Sequence, residues 1–191
     1  MKRSMRPGTM ISPLPAIIVS CGSSIENSNL ITVAWVGTIC SDPAMCYISV
    51  RPSRHSYGLI KENMQFTLNL TTAEMAKATD WIGVKSGRDY DKWKETGLTP
   101  VAGVAVSCPH IAESPVSIEC RVKTVMPLGS HDMFIAEVVN VLAKESLFDP
   151  ETDAFMLEKA GLINYTHGHY YTQGEPLGRF GFSVMKKKKN H

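Results

Sequence analysis

Residues 29–60 of the chain read NLITVAWVGTICSDPAMCYISVRPSRHSYGLI. Two apolar runs rich in β-branched residues, 30–39 and 45–50, are joined by a Ser-Asp-Pro turn. Such runs, bounded by turn residues, are typical of neighbouring strands in an antiparallel sheet. A polar cluster follows at 51–56, where Ser53 is a good N-cap for a helix to about Glu62. We therefore predict two adjacent strands and then a helix with a cationic first turn.

Outside this stretch the patterns predict a β-rich domain with short helices. Alternating or continuous apolar runs predict further strands at 16–22, 65–70, 116–123 and 133–142. The capping box at 71–74 predicts a helix from near Ala73 to about Ile82, and residues 89–96 predict a shorter helix stopped by Gly97. This order does not follow a βαβ pattern. It favours a mainly β fold, a closed or nearly closed antiparallel barrel.

The composition is that of an ordinary globular protein. The chain has 191 residues, of which 43% are apolar and 20% charged, so we expect one domain over residues 1–191 with a basic tail from about residue 184. A net charge of +2 is too small to indicate nucleic-acid or membrane partners. The sequence holds no run of 18 apolar residues, so no membrane-spanning helix is predicted.

The number and spacing of the cysteines indicate the redox state of the cellular compartment in which the protein works. They are odd in number and widely spaced, at positions 21, 40, 46, 108 and 120. This argues against a disulfide framework or a thiolate zinc site and favours a reducing, cytoplasmic location. Basic residues before the apolar segment 16–21 superficially resemble a lipoprotein signal. Pro13 and Pro15 break that segment, so a first strand is the favoured interpretation.

The cluster Arg51–Ser56 has the residue types that bind a phosphate group. A helix N-terminus offers unpaired backbone N–H groups and a favourable dipole. Arg54 adds a forked, charge-assisted donor, Ser53 and Ser56 add hydroxyl groups, and His55 either helps or packs. The alternative is a capped surface helix with two solvated arginines. Local sequence alone does not separate these interpretations.

The preceding strands suit a flat aromatic ligand. Gly37 lets a ring approach the backbone, Thr38 and the backbone of 36–41 offer polar contacts, and Trp35 offers a stacking surface. Asn29 begins the same stretch. The alternative is a core strand with a buried tryptophan. A ligand with a flat ring at one end and a phosphate dianion at the other fits both clusters, and flavin mononucleotide (FMN) is such a ligand.

Several other motifs are absent or weak. The chain lacks G-x-G-x-x-G after a strand, G-x-x-x-x-G-K-[ST] and the G-x-S-x-G elbow. A resident dinucleotide on a Rossmann unit is therefore not expected. His167 and His169 flank Gly168 but have no carboxylate or thiolate at a convincing spacing, so we predict no metal site. The lysines at 186–189 are interpreted as a solvated terminus.

The ordered set of motifs resembles a known family. The segment NSNLITVAWVGTICSDPAMCYISVRPSRHSYGLIKENMQFTLNL is similar to the flavin reductase-like, FMN-binding split-barrel family, and to its flavoredoxin branch in particular. The segments SGRDYDKWKETGL, SPVSIECRV and GHYYTQGEPLGRFGFS agree with it. The resemblance spans residues 13–183. Serine at position 56, where many relatives carry threonine, keeps the hydroxyl group.

The resemblance implies a six-stranded Greek-key split barrel with short added helices, acting as a homodimer with FMN near the subunit interface. Asn29 and Trp35 would border the flavin ring, and the backbone from Val36 through Gly37, Thr38 and Cys40 to Ser41 would line its polar edge and ribityl chain. The same resemblance assigns the phosphate group to Ser53, Arg54 and Ser56, with His55 beside them, and further ring contacts to Lys92, His131 and Tyr165.

Lys92 and His131 have a physical rationale at a flavin, because a cation or donor near the ring stabilises negative charge on its reduced form. The alternatives are a solvated helix lysine and a strand-end histidine. We expect an FMN-dependent oxidoreductase, fed by NAD(P)H or a redox-protein donor and passing electrons to flavin or another acceptor. The rivals are a flavin carrier, store or sensor without turnover, and a barrel that has lost flavin and binds another ligand such as haem.

Overall fold

The computed structural model describes residues 1–185. Its strands, in chain order, are β1 (Leu14–Pro15), β2 (Ile17–Gly22), β3 (Ser28–Val33), β4 (Val36–Ser41), β5 (Ala44–Val50), β6 (Gln65–Leu70), β7 (Pro100–Val101), β8 (His110–Ile111), β9 (Val116–Pro127), β10 (Asp132–Ala143), β11 (Ile163–Thr166) and β12 (His169–Thr172). The helices are α1 (His55–Asn63), α2 (Ala76–Val84) and α3 (Lys92–Thr96), with 3₁₀ turns at Glu145–Leu147, Leu157–Ala160 and Phe182–Val184.

Seven strands form one antiparallel sheet in the order β3-β2-β6-β9-β10-β5-β4. β3 and β4 lie at opposite edges, which would be about 29 Å apart in a flat sheet with strands about 4.8 Å apart. Only Ala34 and Trp35 separate these strands along the chain, and three peptide units span at most about 11 Å. The sheet therefore curls until its two edges approach each other. The hydrogen bond from Ser49 N–H to the carbonyl of Trp35, at 2.9 Å, extends the pairing of β4 with β5 up to this crossing point. The expected mainly β, antiparallel barrel is confirmed.

The main sheet has seven strands rather than the expected six, because one predicted strand is divided into two. The apolar run 30–39 predicts one strand, but it breaks at Ala34 and Trp35, where the chain passes from one edge of the sheet to the other. Other boundaries agree closely with the predictions. β6 spans Gln65–Leu70 as expected, and β9 extends to Pro127 rather than ending at Lys123.

The barrel interior is filled by apolar side chains, with Phe66 and Phe134 fully buried at its centre. The alternation in β6 predicts a half-buried strand with an exposed polar face. The structure instead covers both faces, because Thr67 and Asn69 are also fully buried. The Asn69 amide donates to the carbonyl of Ile18 at 3.1 Å and accepts from the N–H of Ile111 at 2.9 Å. The segment carrying β8 thus packs on the outside of the barrel.

The helix starts differ from the predictions. Arg54 rather than Ser53 is the N-cap of α1, because a turn from Arg51 to Arg54 (N–H to carbonyl, 3.0 Å) leaves Ser53 one residue too early. A similar turn between Thr72 and Met75 delays α2 to Ala76.

The third helix is shorter than predicted. α3 begins at Lys92 rather than near residue 89, because the carboxylate of Asp91 accepts from the N–H groups of Trp93 and Lys94 and so caps the helix there. The helix ends before Gly97, as expected. Gly97 has a left-handed conformation (φ 68°), and glycine adopts it without the steric cost of a Cβ atom.

Within residues 1–185 no helix is long and apolar enough to cross a membrane. The predicted solvated lysine terminus at 186–189 lies outside the described residues.

Candidate functional site

Three adjoining cavities form one groove beside the barrel. The tryptophan cavity, about 160 Å³, is lined by Trp35 and His131. The arginine cavity, about 430 Å³, contains the start of α1, and Arg51 and Arg54 line both cavities. The acidic cavity, about 580 Å³, carries Glu26, Asp89 and Asp91 and shares His55, Arg88 and Lys92 with the arginine cavity. A ligand with a flat end and an anionic end therefore has a continuous path from Trp35 to the start of α1.

The arginine cavity has the chemistry of a phosphate site. Ser53, Arg54, His55 and Ser56 all line it. Within the described chain no side chain caps the first turn of α1. Helix N–H groups without such a partner are available to an anion. Arg88 donates from Nη2 to the carbonyl of Ser53 at 3.1 Å, which brings a second guanidinium to the same turn. The predicted Arg54 cluster is thus assembled with a cation that the sequence did not single out.

A hydrogen-bonded floor supports this cavity. Asn29 and Ser56 are buried, and Asn29 Nδ2 donates to Ser56 Oγ at 2.7 Å. Beneath them, Cys21 Sγ donates to the carbonyl of Asn29 at 3.5 Å. Burial raises the pKa of the Cys21 thiol to about 12, so this thiol stays protonated and does not act as a nucleophile. Asn29 therefore links β3 to α1 and fixes where the helix start lies.

Lys92 is a buried cation in the wall of the arginine cavity. Its side chain is only 4% exposed, and Nζ donates to the carbonyl of Ile82 at 2.7 Å. Burial, and then the charge of Arg54, lower the pKa of Lys92 to about 8. The sequence alternative of a solvated helix lysine is wrong, because Lys92 is buried. Lys92 lies with Arg54 and Ser56 rather than with Trp35 and His131, so its predicted contact with the ring stays a prediction.

Trp35 and His131 meet in the tryptophan cavity, with ring centroids 4.4 Å apart and planes at 48°. His131 Nδ1 lies 2.9 Å from Ser130 Oγ. Burial, followed by the charges of Arg51 and Arg54, lowers the pKa of His131 below its ordinary value. The imidazole is therefore neutral near pH 7. It offers a hydrogen-bond donor or acceptor to a ligand rather than a positive charge.

The predicted residues on β4 lie apart from these three cavities. The Val36 side chain is in the barrel core. A Cβ atom on Gly37 would lie 3.0 Å from Tyr47 Cε1, so the close approach at this glycine comes from a neighbouring strand. Thr38 and Ser41 are exposed, and Cys40 Sγ donates to the carbonyl of Asp42 at 3.4 Å. Their predicted backbone contacts with a cofactor remain predictions.

Tyr165 belongs to another surface that also reaches Trp35. It lies on β11, with its ring centroid 5.4 Å from that of Tyr170 on β12. Tyr165 and Trp35 both line a cavity of about 740 Å³ formed with residues 9–12 of the N-terminal segment. Trp35 therefore separates the groove from this second surface. No group of three or more metal-ligating side chains is assembled within residues 1–185, His167 and His169 included.

Sequence reasoning missed the loop after α2. Gly83, Ser86, Gly87 and Arg88 form one wall of the arginine cavity. A Cβ atom on Gly87 would collide with the side-chain amide of Asn29, so only glycine lets this loop approach the floor. The motif SGRDYDKWK could have indicated this loop, because its arginine follows a serine and a glycine, which allow a close turn of the backbone. Nothing local indicated that this motif faces the start of α1.

The curled sheet and the groove beside it, whose lining includes Arg51, Arg54 and Arg88, define a β-barrel protein with a cationic groove. A family model described as "Flavin reductase like domain" matches residues 10–174. The chain belongs to the flavin reductase-like domain family, a flavin-binding family, and the family resemblance of its motifs is confirmed.

Three similar proteins extend this result. Flavoredoxin of Desulfovibrio vulgaris (Miyazaki F) superposes with a TM-score of 0.88 at 28% identity, covering 97% of this chain and 100% of that chain. Flavoredoxin from Methanosarcina acetivorans gives 0.85 at 24% identity, with coverages of 97% and 100%. An NADPH-flavin oxidoreductase of Streptomyces viridifaciens is 26% identical over 143 residues, which are 72% of this chain and 71% of that protein. The split-barrel fold is therefore established.

Proposed function

We propose that this protein is an FMN-dependent oxidoreductase that takes electrons from NAD(P)H or a protein donor and passes them to flavin or another acceptor. The observation that carries the proposal is the start of α1, which opens without a side-chain cap into a cavity lined by Arg54 and Arg88. A phosphate dianion is the ligand that such a site binds best. FMN carries a single phosphate group at one end and a flat isoalloxazine ring at the other, so it matches the arginine cavity and the tryptophan cavity of the groove.

Different residues of the groove would contact the phosphate group and the ring of FMN. Ser53, Arg54 and Ser56 would hold the phosphate group, with Arg88 adding charge from the loop after α2. Trp35 and His131 would border the ring, one by apolar contact and the other by a hydrogen bond. FMN, when bound, supplies the hydride and electron-transfer chemistry, whereas the protein supplies orientation and electrostatics.

The electron donor is proposed from similarity and from what the sequence lacks. The names of two relatives above 25% identity, a flavoredoxin and an NADPH-flavin oxidoreductase, support electron transfer involving flavin. The chain has no Rossmann glycine motif. A nicotinamide coenzyme would therefore dock transiently beside the flavin.

Homodimerisation and a cytoplasmic location complete the proposal. Large apolar side chains are fully or mostly exposed in both terminal segments, including Ile11, Leu177 and Phe180. Apolar surface of this kind is commonly covered by another chain. The mass of the FMN-loaded protein by light scattering tests the dimer. The unpaired cysteines fit a reducing compartment.

The visible spectrum of the purified protein, with mass analysis of the released chromophore, tests cofactor binding. Stopped-flow mixing of the FMN-loaded protein with NADH or NADPH then tests turnover. Saturable bleaching of the flavin absorbance is expected. A yellow protein that neither coenzyme reduces would refute the nicotinamide donor and favour a redox-protein donor or a flavin carrier. A protein that binds no flavin would refute the whole proposal.

Replacing Gly87 with alanine is expected to weaken FMN binding about threefold to tenfold, because the new methyl group displaces the Asn29 amide and breaks its hydrogen bond to Ser56. Fluorescence quenching of FMN measures the effect. Gly58→Ala is the matched control, because Gly58 lies on exposed α1 surface with no atom within 4 Å of an added Cβ. Equal FMN affinities in the two variants would contradict the role given to Asn29.

FMN affinity is expected to fall as the pH rises above about 8. Below the lowered pKa of Lys92, about 8, this amine is charged with or without ligand. Above that pH it is neutral in the free protein, and a bound phosphate dianion draws a proton back onto it. Binding then requires proton uptake, which weakens it by at most about tenfold at pH 9.

FMN titrations between pH 7 and 9 measure this slope. Lys92→Met, which keeps the length of the buried side chain, should bind FMN with an affinity that is nearly constant over the same range. A slope that persists in the variant would assign the titration to another group.

A further inference from the structure

We propose, on the basis of the proposed flavin site, that the acidic cavity is an adenylate subsite, which binds the adenosine 5′-phosphate half of a dinucleotide. The cavity has a volume of about 580 Å³, which lies within the usual range of ligand pockets. It adjoins the arginine cavity on the side where the phosphate group of FMN would lie. The groove therefore continues beyond the space that a mononucleotide fills.

The junction between the two cavities suits a diphosphate. His55 and Arg88 line both cavities. The guanidinium of Arg88 uses Nη2 on the carbonyl of Ser53, at 3.1 Å, and an arginine has five N–H donors. A second phosphate group linked to the first would thus meet a cation that is already held in place.

Two exposed carboxylates of the acidic cavity suit a ribose. The carboxylates of Glu26 and Asp89 are exposed there, and ribose hydroxyl groups donate to carboxylates in dinucleotide sites. Hydrogen bonds from its own backbone and from Ser24 lower the pKa of Glu26, so it is ionised near pH 7. Asp91 is occupied as the cap of α3. Glu26 and Asp89 therefore remain as the ribose acceptors.

Two aromatic side chains in the wall suit an adenine base. Trp93 is fixed by a hydrogen bond from Nε1 to Ser28 Oγ at 2.9 Å. Tyr90 packs edge-on against Trp81, with ring centroids 5.5 Å apart. Lys85 Nζ lies over one face of the Tyr90 ring, 5.3 Å from its centroid, so the opposite face of Tyr90 is the one that stacks on a base.

The charge of the cavity sets a specificity. The carboxylates that accept from a 2′-hydroxyl group repel a 2′-phosphate group at the same position. The subsite therefore favours FAD or NADH over NADPH. The two sources of the adenylate, the flavin itself or a nicotinamide coenzyme, share this chemistry and are separated by experiment.

Calorimetric titration of the FMN-loaded protein with 5′-AMP and with 2′,5′-ADP tests the subsite. AMP is expected to bind, and 2′,5′-ADP to bind about fivefold more weakly because of like-charge repulsion. Tyr90→Ala should weaken AMP binding about tenfold through the loss of stacking. Asp89→Lys, a change at an exposed position, should remove or reverse the preference against 2′,5′-ADP. FMN affinity should stay unchanged in both variants.

Two further titrations identify the source of the adenylate. Tyr90→Ala should weaken FAD binding to the flavin-free protein if the flavin supplies the adenylate, and NADH binding to the FMN-loaded protein if the nicotinamide coenzyme supplies it. Absence of AMP binding, or AMP binding that neither variant alters, would overturn the subsite while FMN binding still supports the proposed function. Absence of FMN binding itself would instead refute the proposed function.

Discussion

Arg54→Ala is expected to weaken FMN binding by about tenfold to a hundredfold while leaving the fold intact. Arg54 is exposed and lines both the tryptophan and arginine cavities, so its removal leaves no void in the core. A hydrogen bond to a charged group contributes about 1.5–3 kcal/mol, which sets the size of the loss. Fluorescence titration of the flavin-free protein measures the affinity, and thermal unfolding of the same sample reports the fold.

Arg6→Ala is the matched control, because Arg6 is also exposed but does not line the groove. Riboflavin adds a second comparison, since it lacks the phosphate group. Its affinity should differ little between the wild-type protein and Arg54→Ala. An unchanged FMN affinity in Arg54→Ala, or an equal loss for riboflavin, would place the phosphate group elsewhere.

Glu119→Ala is expected to lower the free energy of unfolding by about 3 kcal/mol, because it leaves several donors without an acceptor. The Glu119 carboxylate is fully buried on β9. It accepts from the N–H groups of Val104 and Ala105, each at 2.7 Å, and from Asn140 Nδ2 at 3.0 Å. For a domain of this size the change corresponds to a melting temperature lower by about 6–12 °C.

Glu137→Ala provides the contrast in the same sheet. Glu137 forms an ion pair with Lys123 at 2.6 Å, but both side chains are substantially exposed. Exposed pairs contribute less than about 1 kcal/mol, so the melting temperature of this variant should change little. Calorimetry of the flavin-free Glu119→Ala and Glu137→Ala variants measures the two melting temperatures. Similar losses in the two variants would show that burial of the Glu119 carboxylate is not what stabilises the loop before β8.

Local patterns in the sequence located most elements. The alternation at 65–70 predicts β6 within its observed bounds, and Gly97 marks the end of α3. Within the main sheet the strand prediction is wrong at one point, where Trp35 turns the chain from one edge of the sheet to the other. The hydrophobic pattern of the sequence does not indicate that turn. The turn arises because β3 and β4, the two edge strands of the seven-stranded sheet, are joined by only two residues, so the sheet must curl to bring its edges together. The short strands outside that sheet were not predicted, because two to four residues are too few to show a period; they are β1, β7, β8, β11 and β12.

Some residues of the candidate site could be predicted from the local sequence, and others are brought to it only by packing. Ser53, Arg54 and Ser56 are neighbours in sequence at a helix start, so their chemistry follows from the local sequence alone. Arg88 and Lys92 come from elements more than thirty residues later, and only packing brings them to the same cavity. The burial that lowers the pKa of Lys92 is likewise a property of the assembled protein.

The sequence by itself determined the β-rich class, the approximate positions of the strands in the main sheet and the arginines just before α1, because each depends on residues close together in the chain. The tertiary structure alone decided that the sheet closes, that Arg88 and Lys92 reach the start of α1, and that the groove continues into the acidic cavity. These features depend on distances between segments far apart in sequence, which are fixed only when the barrel core packs.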